Sequence, residues 1–405
     1  MKMNQALKVL MVGWEFTPFN SGGLGVACEG LVNGLVNQGI KVIFVLPKKF
    51  DYQSSVCKFI FADDSLKIKN INSPLSPYLN SKSYNYLFQN TKEKNIYGSN
   101  LFEEVIRYAK RVSKIVLPET FDIIHCHDWL TFPAGLEIKR IFDKPLIAHI
   151  HALEFDRTGG DNINPHIYQI EKEGLKKANL VIANSNFTKN RVIQYYGIDP
   201  GKIRVVYNAV EKNYFPQINK DLFNLKLLGK KIVLFVGRIT LQKGPDYFIR
   251  AAKKVLEKNQ NVIFVITGSG DMETQIIEEA VHLGIIDKVL FTGFLRDKDL
   301  AKIYQMADLY VLSSVSEPFG IAPLEALVNK TPVLISKQSG ISEILSHCLK
   351  VDFWDINEMA NKILAVLEHP ELYQALRENG FQEVKKINWQ NSASECIKIY
   401  HQLLV

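Results

Sequence analysis

The 405-residue sequence is poor in cysteine: its five, Cys28, Cys57, Cys126, Cys348 and Cys396, are odd in number, scattered and never spaced C-x-x-C. That pattern excludes a disulfide framework and a zinc knuckle and points to a reducing, cytoplasmic compartment. Long apolar runs are also missing. The first, residues 9–12, ends at Gly13 and Glu15, too short for a signal-peptide core, and no window reaches the roughly 20 residues of a membrane span. Dinucleotide and P-loop fingerprints are absent too. Gly23-Leu24-Gly25-Val26-Ala27-Cys28 and Gly268-Ser269-Gly270-Asp271-Met272-Glu273 both break G-x-G-x-x-G at its third glycine, and no G-x-x-x-x-G-K-[ST] occurs. Classical NAD and ATP sites are thereby disfavoured.

What is present suits a globular chain of about two domains. Hydrophobic residues make up 47%, and 24 Gly and 15 Pro are ordinary for the length, which rules out wholesale disorder, collagen and coiled coil. The 49 Lys and Arg against 42 Asp and Glu leave a formal charge of +7. That mild excess fits an anionic substrate, an anionic lipid surface or nucleic acid, and by itself decides nothing.

The order of elements is more informative. Residues 8–12 read as a strand, a glycine-rich turn follows, residues 27–38 carry apolar side chains at helical spacing, and 41–46 is a second strand. A strand buried on both faces reads as a continuous apolar run, and a parallel partner needs a crossover helix, so this is a βαβ unit. Further strands are expected at 122–126, 145–149, 180–183 and 203–206, with helices at 102–116 and 165–177. After a polar stretch over 208–230 the pattern restarts, with strands at 232–236, 262–267, 289–292, 309–312 and 332–335 and helices at 246–257 and 297–306. Asp297 is expected to cap the latter helix. Two such runs predict an α/β chain of two doubly wound, Rossmann-like domains facing a cleft, with ligands at the strand C-terminal ends. Residues 63–100 show neither period and read as a long surface excursion, and 389–404 reads as an amphipathic packing helix.

Four strings carry candidate chemistry. Ser21-Gly22-Gly23-Leu24-Gly25 opens a helix after the first strand, where bare backbone N–H groups and the helix dipole suit a phosphate; a ligand-free tight turn is the alternative. Gly237-Arg238 through Lys243-Gly244 leaves the first strand of the second half. It offers a guanidinium fork and a compact ammonium, which suits a diphosphate held without metal; two solvated cations are the alternative. Glu317 lies in the constrained string Ser316-Glu317-Pro318-Phe319-Gly320-Ile321, where a loop carboxylate can approach a reacting or hydroxyl-bearing sugar, while Glu325, in the next helix, can accept paired ribose hydroxyls or simply favour that helix terminus. His125-Cys126-His127-Asp128-Trp129 and His149-Ile150-His151 end two strands. A metal site is weighed and set aside, because at least one histidine of each pair is expected to be buried and hydrogen-bonded, with His151 facing the cleft.

Together these strings, in this order and spanning nearly the whole chain, resemble the retaining glycosyltransferases of the GT-B fold, and among them the glycogen and starch synthase-like and related hexosyltransferase families. The resemblance implies an acceptor-side N-terminal domain over 1–207, a donor-binding domain over 208–385, and a C-terminal helix, 386–405, crossing back to the first. It implies that Arg238 and Lys243, with amides near Gly22 and Gly23, hold the donor diphosphate and that Glu325 holds the ribose. Glu317 would meet the donor sugar, amides around Phe319, Gly320 and Ile321 would hold sugar hydroxyls and phosphate oxygens, and Gly237, Gly268 and Gly270 would line the nucleotide pocket. His151 and Asp128 would flank the anomeric centre. The implied substrates are a UDP- or ADP-sugar, most readily a glucosyl donor, and a carbohydrate acceptor such as an α-glucan, with no metal or other cofactor and no nucleic acid. Ser21 stands where glycogen synthases commonly have lysine before Gly-Gly, a departure that weakens ADP-glucose and a glucan in particular. Three other readings stay open: a lipid-linked or cell-surface polysaccharide precursor as acceptor, with peripheral membrane contact; a sugar-nucleotide epimerase; and a non-catalytic sugar-nucleotide-binding module.

Overall fold

Lys8-Val9-Leu10-Met11-Val12 forms the first strand, with its last four side chains buried, as a strand covered on both faces requires. The computed structural model describes residues 6–17, 22–49, 56–62, 101–160, 162–211 and 229–404. The expected excursion over 63–100 and most of the polar stretch 208–230 lie outside the described residues. The chain divides into two units, Met1–Asn208 with Trp389–Val405, and Ala209–Asn388.

The first unit is built on a seven-stranded parallel sheet: β1 (Lys8–Val12), β2 (Lys41–Leu46), β3 (Lys58–Phe61), β4 (Ile123–His127), β5 (Leu146–Ile150), β6 (Leu180–Ala183) and β7 (Ile203–Val205). Its order is β3-β2-β1-β4-β5-β6-β7, so the winding reverses between β1 and β4. One face carries Leu10, Val12, Ile124, Cys126, Ala148 and Ile150 into an apolar core with Trp129 and Phe132. The opposite face, by the two-residue period of a strand, carries His125, His127 and His149. There the hydroxyl of Tyr400, on the C-terminal helix Trp389–Leu404, lies 2.8 Å from His125 Nδ1.

That helix packs on the helix Gly23–Val36, whose Gly30 and Gly34 are one turn apart. A Cβ on Gly30 would enter the Trp389 indole, and one on Gly34 would meet the Trp389 carbonyl oxygen at 2.6 Å. Overpacking of this kind costs about 1–3 kcal/mol. Gly30→Ala is therefore expected to lower the urea midpoint and to shift the tryptophan emission; an unchanged midpoint would refute close packing at this position.

The second unit holds a six-stranded parallel sheet ordered β10-β9-β8-β11-β12-β13: β8 (Lys231–Val236), β9 (Val262–Thr267), β10 (Val289–Gly293), β11 (Leu309–Leu312), β12 (Val333–Ser336) and β13 (Leu349–Val351). The winding here reverses between β8 and β11. The short strands β3 and β13 were not expected from sequence. Each lies at a sheet edge with one neighbour and is only partly buried, so neither needs the apolar run that marks a central strand. One capping expectation is corrected. The helix Asp297–Met306 begins at Asp297 itself, after an extended Arg296, so Asp297 sits inside the first turn with φ 46° rather than ahead of it. There a carboxylate acts on the helix dipole instead of as the cap residue.

Candidate functional site

In a doubly wound sheet, loops leaving two strands on either side of the reversal splay apart and leave a crevice at their C-terminal ends. In the second unit these loops follow β8 and β11, and they carry the Arg238–Lys243 string and Glu317. Lys243 Nζ lies 2.5 Å from Glu317 Oε2, which also accepts from Ser314 Oγ at 3.2 Å. Glu317 is nearly buried, and its backbone N–H donates to the Gln338 carbonyl at 2.9 Å. The two groups assigned separately from sequence, cation and carboxylate, are therefore one ion pair.

Backbone shape explains the glycines. Gly244 has φ 60°, which favours glycine, and the helix Pro245–Lys258 starts directly after it with proline at its first position. A Cβ on Gly268 would strike the Gly237 carbonyl, and one on Gly270 the Ile239 carbonyl. These residues let the loop after β9 lie against the loop that carries Arg238, and Gly237 N–H continues the ladder to the Thr267 carbonyl at 3.0 Å. Gly320, with φ 102°, turns the chain beside Glu317; Phe319 is buried, and its carbonyl accepts from Ile341 N–H at 2.7 Å. Ile321 precedes the helix Ala322–Val328, in whose first turn Glu325 accepts the Tyr304 hydroxyl at 2.9 Å. Burial raises the Glu325 carboxyl pKa, and the Tyr304 bond partly offsets this.

The sequence reading missed a neighbouring feature. At the end of β10 an open cavity of about 620 Å³ is lined by Phe294, Leu295, Arg296, Asp297, Lys298 and Asp299. It adjoins the glycine loop through the Gly268 N–H to Gly293 carbonyl bond of 2.9 Å. The available signal was positional: a loop at a strand C-terminal end next to one already singled out.

In the first unit, the reversal between β1 and β4 falls beside the helix Gly23–Val36, with Gly22 extended ahead of Gly23 as its N-cap residue. Asp128 follows β4 in the left-handed region at φ 60° and is fully buried. Its Oδ1 accepts the backbone N–H groups of His151 at 2.7 Å and Ala152 at 3.3 Å. Burial raises its pKa to about 6, against the lowering effect of Arg157 and these bonds. Asn184 Nδ2 donates to the His151 carbonyl at 3.0 Å, so the His151 backbone is held on both sides.

The four histidines form a buried layer. His127 Nδ1 lies 3.0 Å from His151 Nε2, and His125 Nε2 lies 3.1 Å from His149 Nδ1. Burial lowers all four pKa values, to about 3 for His125 and His151 and well below the ordinary imidazole value for His127 and His149. His151, expected to face the cleft, is nearly buried and its ring pairs with His127, because β4 and β5 are hydrogen-bonded neighbours that place His127 opposite His149. Among the described residues, one ligand atom each of His125, His127 and His149 lies within 4.8 Å of the others. The His125 and His127 rings, however, are stacked at 4.6 Å and 12°. An imidazole lone pair lies in its ring plane, so near-parallel rings do not converge on one ion.

Residues 217–383 match the family described as Glycosyl transferases group 1, and residues 21–214 match Glycosyltransferase Family 4. An uncharacterized glycosyltransferase of Methanocaldococcus jannaschii is 31% identical over 412 residues, covering 97% of this chain and 98% of its own. A glycogen synthase of Mycobacterium tuberculosis is 23% identical over 405 residues, covering 97% and 94%. Among solved structures, an Anabaena protein in complex with UDP-glucose superposes with TM-score 0.72 at 17% identity, covering 98% of this chain and all of that one.

Proposed function

The chain belongs to the group 1 glycosyl transferases and has their two Rossmann-like parallel-sheet domains, and from that premise we propose that it transfers a hexosyl unit, most readily glucose, from a UDP- or ADP-sugar to a carbohydrate acceptor with retention at the anomeric carbon. The observation that carries this reading is the Lys243–Glu317 pair at the β8/β11 reversal, on the loop that also carries Arg238. The UDP-glucose bound by the Anabaena neighbour and the glycogen synthase relative support it.

In the proposed reaction the bond from the sugar anomeric carbon to the diphosphate oxygen breaks, and a bond to an acceptor hydroxyl forms. The hydroxyl proton leaves with the nucleoside diphosphate or passes to solvent. Negative charge grows on the departing diphosphate, so the cations Arg238 and Lys243, with amides at Gly22 and Gly23, lower the barrier by meeting that charge already oriented. Glu317 and the amides of Phe319, Gly320 and Ile321 hold the donor sugar, and Glu325 holds the ribose. His151 and Asp128 are assigned beside the anomeric carbon by the family resemblance, with Asp128 Oδ1 anchoring the His151 backbone. Gly237, Gly268 and Gly270 shape the nucleotide pocket. The second domain is assigned to the donor and the first to the acceptor. No metal is assigned to the reaction. All five cysteines are free thiols, which suits a reducing cytoplasm. No described helix is long and apolar enough to cross a membrane.

Calorimetry with UDP, ADP and GDP and their glucose conjugates, then nucleotide release with and without maltooligosaccharide, tests the reading. Tight binding of one nucleotide with glucan-stimulated release is expected; binding without stimulation moves the acceptor to another sugar or a lipid-linked precursor. For Glu325→Gln, the preference for a ribonucleoside diphosphate over its 2′-deoxy analogue is expected to shrink about fivefold, the worth of one hydrogen bond. An unchanged preference would remove Glu325 from the ribose.

A further inference from the structure

The geometry points to Gln242 as a positioning residue that holds the two arms of the diphosphate site in register, an inference that rests on the donor-site reading above. Gln242 lies between Arg238 and Lys243 in sequence, yet it is 3% exposed, whereas Leu241 before it is 50% exposed. Its backbone carbonyl accepts the Val315 N–H at 3.0 Å, and its side-chain Nε2 donates to the Ser316 carbonyl at 3.1 Å. One residue of the β8 loop thus both accepts from and donates to the β11 loop, a two-point joint that fixes spacing and orientation. The third polar atom, Oε1, lies 3.5 Å from Arg238 Nη2, on the guanidinium fork. Ser313 Oγ closes the same seam with a 2.8 Å bond to the Gly244 carbonyl.

The consequence is mechanical. Residue 243 follows the joint on one loop and residue 317 follows it on the other, so the joint sets where the Lys243 ammonium and the Glu317 carboxylate meet. Gln242 reaches none of the reacting atoms. Its contribution is to keep two cations and one carboxylate preorganised for a ligand with two adjacent phosphates, and that contribution vanishes for a ligand with one. A buried side chain needed only for folding would affect both ligands alike.

The test therefore compares nucleoside diphosphate with monophosphate by calorimetry: UDP with UMP, ADP with AMP and GDP with GMP, on wild type, Gln242→Met and Gln242→Asn. The methionine removes both side-chain hydrogen bonds at similar volume. The asparagine keeps an amide one methylene too short to reach Ser316, and it serves if the methionine variant does not fold. For the pair that wild type binds, the diphosphate-to-monophosphate affinity ratio is expected to fall about tenfold in each folded variant, with monophosphate binding unchanged. A ratio preserved in the variants, or equal losses for both ligands, would overturn the positioning role while leaving the donor site standing. A wild-type chain that binds no diphosphate more tightly than its monophosphate would overturn the donor-site reading and this inference with it.

Discussion

Lys243→Ala is expected to cost the protein about 150-fold in affinity for its nucleoside diphosphate, and Arg238→Ala between about ten- and 150-fold. A charged hydrogen bond to a phosphate is worth roughly 1.5–3 kcal/mol, and each 1.4 kcal/mol is tenfold. The lysine stands at the top of that range because its removal does two things. It takes away a phosphate partner, and it leaves Glu317, now 2.5 Å from the ammonium, as an uncompensated and nearly buried carboxylate where the anion must bind. Binding to Lys243→Ala should accordingly recover in part when Glu317→Gln is added, even though Glu317→Gln alone impairs transfer. Titration of the diphosphate into the four proteins reads this directly. Equal affinities in wild type and Lys243→Ala would sink the clamp, and no recovery in the double variant would sink the electrostatic coupling.

The second large effect concerns stability in mild acid. The four imidazoles ordinarily titrate near 6.5; in the fold, burial holds His125 and His151 near 3 and His127 and His149 well below their ordinary value. Below pH 6.5 the unfolded chain takes up four protons that the folded chain refuses, which favours unfolding. Four buried carboxyls act the other way, Asp246 and Glu325 among them, each raised by burial. Asp128, raised from 3.8 to about 6, and Glu171, raised from 4.5 to about 7 chiefly by burial, keep protons in the fold that the unfolded chain has lost. The imidazoles outweigh the carboxyls, which leaves the unfolded state with an excess of at most roughly two protons between about pH 4.5 and 6. Stability should then fall by up to roughly 2.7 kcal/mol per pH unit across that window and be nearly flat above pH 7.5. Urea unfolding at pH 7.5, 6 and 5 measures the slope; the same midpoint at pH 7.5 and pH 5 would show that the histidine layer is hydrated or opens without cost.

The histidine layer also marks where sequence reasoning stopped. His125 and His127 alternate on β4, and their shared face could be read from strand period alone. That all four rings would be buried required knowing that β5 lies beside β4 and that Tyr400, 275 residues away, reaches His125. A polar group on a central strand can end as a ligand, a catalyst or a satisfied core residue, and its neighbours decide which. Asp128 shows the same limit: the left-handed turn after β4 spends its carboxylate on the His151 and Ala152 amides, and no local pattern announces that.

By itself the sequence determined the alternation of strands and helices, the parallel sheets and the glycine and charge strings at strand ends, because each depends on residues within a dozen positions of one another. Continuous apolar runs must be covered on both faces, and a crossover helix is the short way to do it. Only the tertiary structure decided that Lys243 and Glu317 form one pair, that Gln242 joins their loops, and that the His151 ring pairs with His127. Those contacts span 24 to 74 residues, and they follow from which strands become neighbours, a choice made by the whole sheet rather than by any segment of it.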